Sequence, residues 1–222
     1  MSAATSRTGR PPAELSPATL DEIFGAALRM FADKGYEGAS VAALNRELGV
    51  SHNLIHQRFG SKEKLWYATV DWAFAGIAAE LLPELENTEG GPLEQARRII
   101  RRFVLVHARR PEVLRLVNIE GVAETPRLFH LYEHHIEPVL TPLTAPLRAL
   151  MDSGEIAPVP VRTLHFLIAH GASAPFSLLG LARRIGPGDP LEEEAVAEHA
   201  DLVADLVIGG LRYRTEHAGE QP

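Results

Sequence analysis

The chain has 222 residues, 45% of them apolar and 23% charged, a globular composition at the length of one large domain or two small ones, so a disordered or collagen-like chain is excluded. It contains no cysteine, which removes disulfide scaffolds, thiolate zinc sites, iron–sulfur clusters and cysteine nucleophiles together and fits a reducing compartment. The net charge of −7 opposes nucleic-acid binding by the surface as a whole, yet residues 1–70 carry 8 basic and 7 acidic side chains while residues 71–222 carry 14 and 22, and all the lysines (Lys34, Lys62, Lys64) lie in the first part.

The polar opening residues read as a flexible tail over 1–14, without the apolar core of a signal peptide. Ser16-Pro17, or Thr19 with Glu22, offers a helix cap. Leu20, Ile23, Phe24, Ala27, Leu28 and Phe31 recur at the spacing of one helical face, and Gly35 ends that helix. Ser40 caps a short helix through Leu48, which Gly49 closes in the conformation that favours glycine. Ser51 opens a second short helix with Ile55 and Phe59 inward. A long helix follows from Lys62 to about Glu86. Four further helical segments are expected at Leu93–Arg109, Pro111–Glu124, Pro126–Ser153 and Val161–Ile185, with Pro138, Pro142 and Pro146 bending the third. Leu191–Tyr213 is the last helix. No alternating strand pattern, repeat or stretch of about 18 apolar residues occurs, so the expectation is a soluble, cytoplasmic, all-α protein without a membrane partner.

The informative stretch is Ala39 to Lys64, ASVAALNRELGVSHNLIHQRFGSKEK. Two short helices meeting at a tight Leu48-Gly49-Val50-Ser51 turn form a helix-turn-helix pattern, for which a plain helical hairpin is the competing reading. If Val41, Leu44, Leu48, Val50, Ile55 and Phe59 pack inward, the other face of the second helix presents His52, Asn53, Leu54, His56, Gln57 and Arg58. Asn and Gln amides suit adenine and Leu54 a thymine methyl, while Ser40, Ser51 and Lys62 suit phosphate oxygens.

The run FGAALRMFADKGYEGASVAALNRELGVSHNLIHQRFGSKEKLW then resembles the DNA-binding module of the TetR/AcrR family of transcriptional repressors. Its F-x-x-K-G-Y-x-x-x-S-V, L-G-V-S and F-x-S-K-E-x-L elements carry the likeness. The resemblance implies an all-α homodimer with a helix-turn-helix domain at 15–60 and a ligand-binding and dimerisation domain at 61–217. It also implies a double-stranded, palindromic operator and release by a small-molecule effector. On this reading Ser40 and Lys62 meet phosphate, Ser51 opens the recognition helix, and His52, Asn53 and Leu54 form its base-facing start. Asn45 departs from a usual small apolar residue, His56 from a tyrosine, and Asn53 from a frequent glycine.

For the effector, Phe103, His107, Asn118, Tyr132, His134 and Phe166 supply apolar walls with a few polar points, so an uncharged or weakly polar organic molecule is expected, while Arg101, Arg102 and Arg115 leave room for an anionic one such as an acyl thioester. The homodimer is expected through the last two helices, on the stripe Ala195, His199, Leu202, Leu206 and Gly209-Gly210. The small residues Gly171, Ala172, Ser173 and Ala174 offer a close helix approach. His130, Glu133 and His134 match H-x-x-E-H, which puts a metal-sensing regulator or a zinc-dependent hydrolase forward as the alternative. No catalytic residue, resident metal or cofactor is assigned.

Overall fold

The computed structural model describes residues 18–216; the expected tail, Leu15 and the Ser16-Pro17 cap lie outside them. Among the described residues there are helices and no strands. Helix α1 (Leu20–Gly38) starts at a complete capping box, in which Thr19 accepts from the Glu22 amide and the Glu22 carboxylate accepts from the Thr19 amide. Its regular part ends at Gly35, which sits at φ 66°, a conformation open to glycine and costly for other residues. Ser40 caps α2 (Val41–Glu47), and Gly49 at φ 65° makes the turn toward α3 (Leu54–Phe59). Ser61 caps α4 (Lys62–Glu86), whose ends match the sequence expectation.

The remaining helices are α5 (Gly91–Arg109), α6 (Pro111–Glu120), α7 (Pro126–Leu131), α8 (Glu137–Asp152), α9 (Val161–His165), α10 (Ala174–Ser177), α11 (Leu179–Ile185) and α12 (Glu193–Glu216). Two expected helices are therefore broken. Between α7 and α8 the backbone widens into a π turn over Tyr132–Ile136, where the Glu137 amide reaches back to the Tyr132 carbonyl. Pro138 lies just beyond, and its ring lacks an N–H and crowds the carbonyl of the preceding turn. A second π turn, Phe166–Ala172, follows α9, and Pro175 holds the first turn of α10.

One apolar cluster joins Ile23 and Phe31 of α1, Leu44 of α2, Ile55 of α3 and Leu65, Trp66 and Val70 of α4 to Val113 and Leu116 of α6 and Leu131 of α7. It crosses residue 60 without interruption. A second cluster packs α5, α8 and α12 through Ile100, Leu147, Leu150 and Leu211, and a third lies between α5 and α12 at Val104 and Ala200. Helix α5 is the axis of the C-terminal bundle, flanked by α4, α8 and α12.

His107 of α5 is buried, and its Nδ1–H donates to the Phe103 carbonyl at 2.8 Å. Burial pushes its pKa down to about 4, against the help of that carbonyl and with a further push from nearby His170. The unfolded chain takes up this proton below about pH 6.5, whereas the folded chain resists until about pH 4. Stability linked to His107 is thus complete above that window and lost as pH falls through it, on the order of 3 kcal/mol in all. Denaturant unfolding at pH 7.5, 6 and 5 should show this decline, and His107→Leu should flatten the slope by up to about 1.4 kcal/mol per pH unit.

Candidate nucleic-acid interface and effector cavity

Helix α3 is held to the body by Ile55, 1% exposed, with Leu54 and Phe59 packed partly against the same cluster. Ser51, His52, Asn53, His56 and Gln57 are exposed on the opposite side. The helix starts later than the sequence suggested. His52 and Asn53 form a turn closed by the Leu54 amide donating to the Ser51 carbonyl, and Asn53 occupies the cap position without using its side chain there. Its amide is therefore available. Leu54, expected to be free for a thymine methyl, is half-buried and serves mainly as packing.

Buried Asn45 explains one departure from the family pattern. Its Nδ2 donates to the His52 carbonyl at 2.8 Å and so ties α2 to the turn that carries the exposed row. Ser40 Oγ accepts from the Ala43 amide, which leaves its O–H to donate elsewhere. Lys62 stands at the first position of α4. Its Nζ donates to the Glu37 carbonyl at 3.4 Å and lies 4.4 Å from the centre of the Tyr36 ring.

A cavity of about 240 Å³ opens among α4, α5, α6, α8 and the second π turn. Its walls include Ile77, Leu81, Phe103, Val113, Val117 and Leu143, with Asp71, His107, His134, His135, His165 and His170 as polar points. Of the six residues expected to bind an effector, Phe103, His107 and His134 line this cavity. Asn118, Tyr132 and Phe166 do not; they line an adjoining, more open groove together with Arg162. Tyr132 and Phe166 are 43% and 57% exposed, so they form a rim, not an enclosed wall. Asn118 Oδ1 accepts from His170 Nδ1 at 2.6 Å, which fixes one cavity histidine in place.

The expected effector set left out His165 and His170, which also line the cavity at and beside the second π turn; burial lowers the pKa of both. The three arginines considered for an anionic ligand are engaged elsewhere. Arg101 pairs with Asp201, Arg102 with Glu84, and Arg115 with Asp33 and Glu112. None of them lines the cavity.

The H-x-x-E-H segment does not assemble as its spacing suggests, because the π turn changes the register. His130 and His135 instead converge on Asp71 of α4, each Nε2 lying 2.8 Å from the same Oδ1. Glu133 is exposed and outside this cluster, and His134 faces the cavity. Asp71 and His135 carried no sequence signal, since helical spacing does not relate residues so far apart or offset by five.

Helix α12 has two apolar faces. Val196, Ala200, Ala204, Val207 and Leu211 are buried inward against its own chain, while Leu202 and Leu206 are 55% and 65% exposed. Leu178, before α11, and Leu181 and Ile185 within it are also exposed. The small residues at 171–174 are used within the chain: Ser173 is fully buried, and His199 of α12 reaches the Ala172 carbonyl at 2.7 Å.

Two family profiles match this architecture, one described as Bacterial regulatory proteins, tetR family, over residues 23–68, the other as Tetracyclin repressor-like, C-terminal domain, over residues 92–207. The HTH-type transcriptional regulator BetI of Brucella anthropi is 26% identical over 208 residues, covering 90% of this chain and 98% of that protein. The HTH-type transcriptional repressor AcnR of Corynebacterium efficiens is 49% identical over 47 residues, 21% of this chain and 25% of that one. The transcriptional regulator FadR of Bacillus subtilis, solved in complex with stearoyl-CoA, superposes with a TM-score of 0.63 at 17% identity, over 86% of this chain and 99% of that chain, and shares the fold. Matched at both its helix-turn-helix and its C-terminal bundle, the chain belongs to the tetR family of bacterial transcriptional regulators.

Proposed function

We propose that the protein is a cytoplasmic, homodimeric repressor, not an enzyme, that leaves its operator when a small molecule enters the cavity beside α4. The observation that carries this reading is the exposed row Ser51, His52, Asn53, His56 and Gln57, projected from a helix whose opposite face is locked into the core by Ile55. A short helix presented in this way fits a major groove, with Asn53 and Gln57 reading base edges and Ser40, Ser51, His56 and Lys62 directed to phosphates. Lys62 leaves the Glu37 carbonyl to make that contact. Residues 15–60 then act as the DNA-binding domain and residues 61–217 as the effector and dimerisation domain. Two copies joined through the outward faces of α11 and α12 place their recognition helices about 34–36 Å apart, or a multiple of it, on a palindrome.

The cavity lining supports one effector class. Apolar walls with imidazole points, one carboxylate at Asp71 and no lysine or arginine suit a hydrocarbon or acyl body. An anionic head finds a cation only at Arg162 in the adjoining groove. An acyl thioester divided between the two spaces satisfies both, in keeping with the stearoyl-CoA held by the Bacillus subtilis relative. The effector acts by preferring a conformer with the wrong helix separation, and it shifts the equilibrium only by that differential affinity, about 1–3 kcal/mol in typical cases.

Selection from a random duplex pool should return a palindrome. Affinity for it should fall steeply with salt, because phosphate neutralisation releases counterions. Lys62→Ala should weaken all duplexes alike, whereas Asn53→Ala and Gln57→Ala should each cost about 1–3 kcal/mol at one position and relax preference there. Unchanged preference in both amide variants would remove them as base readers. For the cavity, titration with acyl-CoAs of increasing chain length should raise the unfolding temperature and release DNA. Ala78→Leu, which fills space on the α4 wall, should abolish release while leaving effector-free DNA affinity within about threefold.

A further inference from the structure

The cluster formed by Asp71, His130 and His135 lies apart from the recognition surface, and Asp71 and His135 also line the cavity. We propose that these three side chains bind one divalent transition-metal cation of the zinc, nickel or cobalt class, bridging α4 to the segment that joins α7 and α8. Their donor atoms all lie within 4.8 Å of one another, and both imidazole Nε2 atoms stand 2.8 Å from Asp71 Oδ1. Two atoms bound to one ion at about 2.1 Å are separated by roughly 3–3.5 Å, so small rotations admit the cation.

The backbone is arranged for this convergence. Residues five apart on a regular α-helix point about 140° away from each other, and such a pair cannot share a carboxylate. The π turn at Tyr132–Ile136 closes the wider ring and brings His130 and His135 to one side, their ring centres 5.4 Å apart. Helix α4 then fixes both rings. His135 stacks on Phe74 with centres 4.8 Å apart, and His130 sits edge-on to Tyr67 at 4.6 Å and to Trp66 at 6.3 Å. Asp71 lies between these aromatic residues on the same helix, so one element supplies both a ligand and the walls that orient the other two.

Donor chemistry selects the metal. Two imidazoles and one carboxylate match borderline cations, whereas magnesium and calcium favour all-oxygen sets. The imidazole side chains are 20% and 14% exposed and Asp71 is 54% exposed, which leaves the outer side of the ion to water. With a neutral imidazole protonated at Nδ1, the Nε2 lone pair faces the cation in place of the N–H that otherwise faces the carboxylate.

The test uses the metal alone, without DNA or effector, so its outcome is read separately from theirs. Full-length protein stripped with chelator and dialysed is titrated with zinc by calorimetry. Cobalt is used in parallel for its visible absorption. One equivalent per chain is expected, together with a cobalt spectrum carrying nitrogen ligation and a higher unfolding temperature. Asp71→Asn and His135→Ala should each weaken zinc at least about tenfold, the loss that changes to outer-shell partners alone produce, and should lose the temperature rise. Metal-free circular dichroism checks that both variants fold, and exposed Asp71→Asn decides alone if His135→Ala does not. Absence of binding in the wild type, or unchanged stoichiometry and affinity in the folded variants, overturns the proposal. The latter result would place the cation elsewhere, for example at exposed His52 and His56.

Discussion

Trp66 and Leu65 of α4, both fully buried, sit where the helix-turn-helix and the effector bundle meet. Around them Ile23 and Phe31 of α1 pack on one side and Val113, Leu116 and Leu131 of α6 and α7 on the other. A core at crystal-like density does not compress; it moves between discrete packings. The same helix forms part of the cavity wall through Ile77 and Leu81, so cavity and recognition helix are packed against one continuous core. Without this shared core the two halves would be independent, and ligand binding would have no effect on DNA affinity.

Helix α4 is not alone in this connection. Helix α6 lies along α1, where Arg115 pairs with Asp33 at 3.3 Å and Ile119 Cγ2 comes within 3.5 Å of the position a side chain at Gly35 would occupy. Two faces of α6 reach different environments. Val113 and Val117 form part of the cavity wall, while Arg115 and Ile119 touch the first helix. The same short element thus senses cavity contents and supports the helix on which α2 and α3 rest. The partly exposed ion pair adds little stability, and most of the contact strength comes from the apolar surface beneath it.

Much of this organisation was legible in the residues. Thr19 with Glu22, Ser40, Gly49 and Ser61 mark helix boundaries through local chemistry, and local chemistry survives folding. The inward row Val41, Leu44, Ile55 and Phe59 exposed the helix-turn-helix, and the outward leucines of α12 were visible as a second stripe. Sequence periodicity failed where the backbone left the 3.6-residue turn. Both π turns fall at histidine-rich segments, so the errors concentrate on the polar points of the cavity and on the Asp71 cluster. The arginines misled for another reason: a charge in sequence carries no record of its partner, and Asp201, Glu84 and Asp33 are distant along the chain. Leu54 looked free because a six-residue helix has too few positions to show which intermediate side chain is covered.

The π turn at Tyr132–Ile136 has the character of an α-helix that has taken in one extra residue. The flanking helices keep their alignment with the bundle while the surplus is accommodated in a local widening. At the same spacing, a regular α-helix through this segment would turn the two imidazoles about 140° away from each other. The local widening, more than the spacing of the histidines, thus decides whether the two rings meet at one carboxylate.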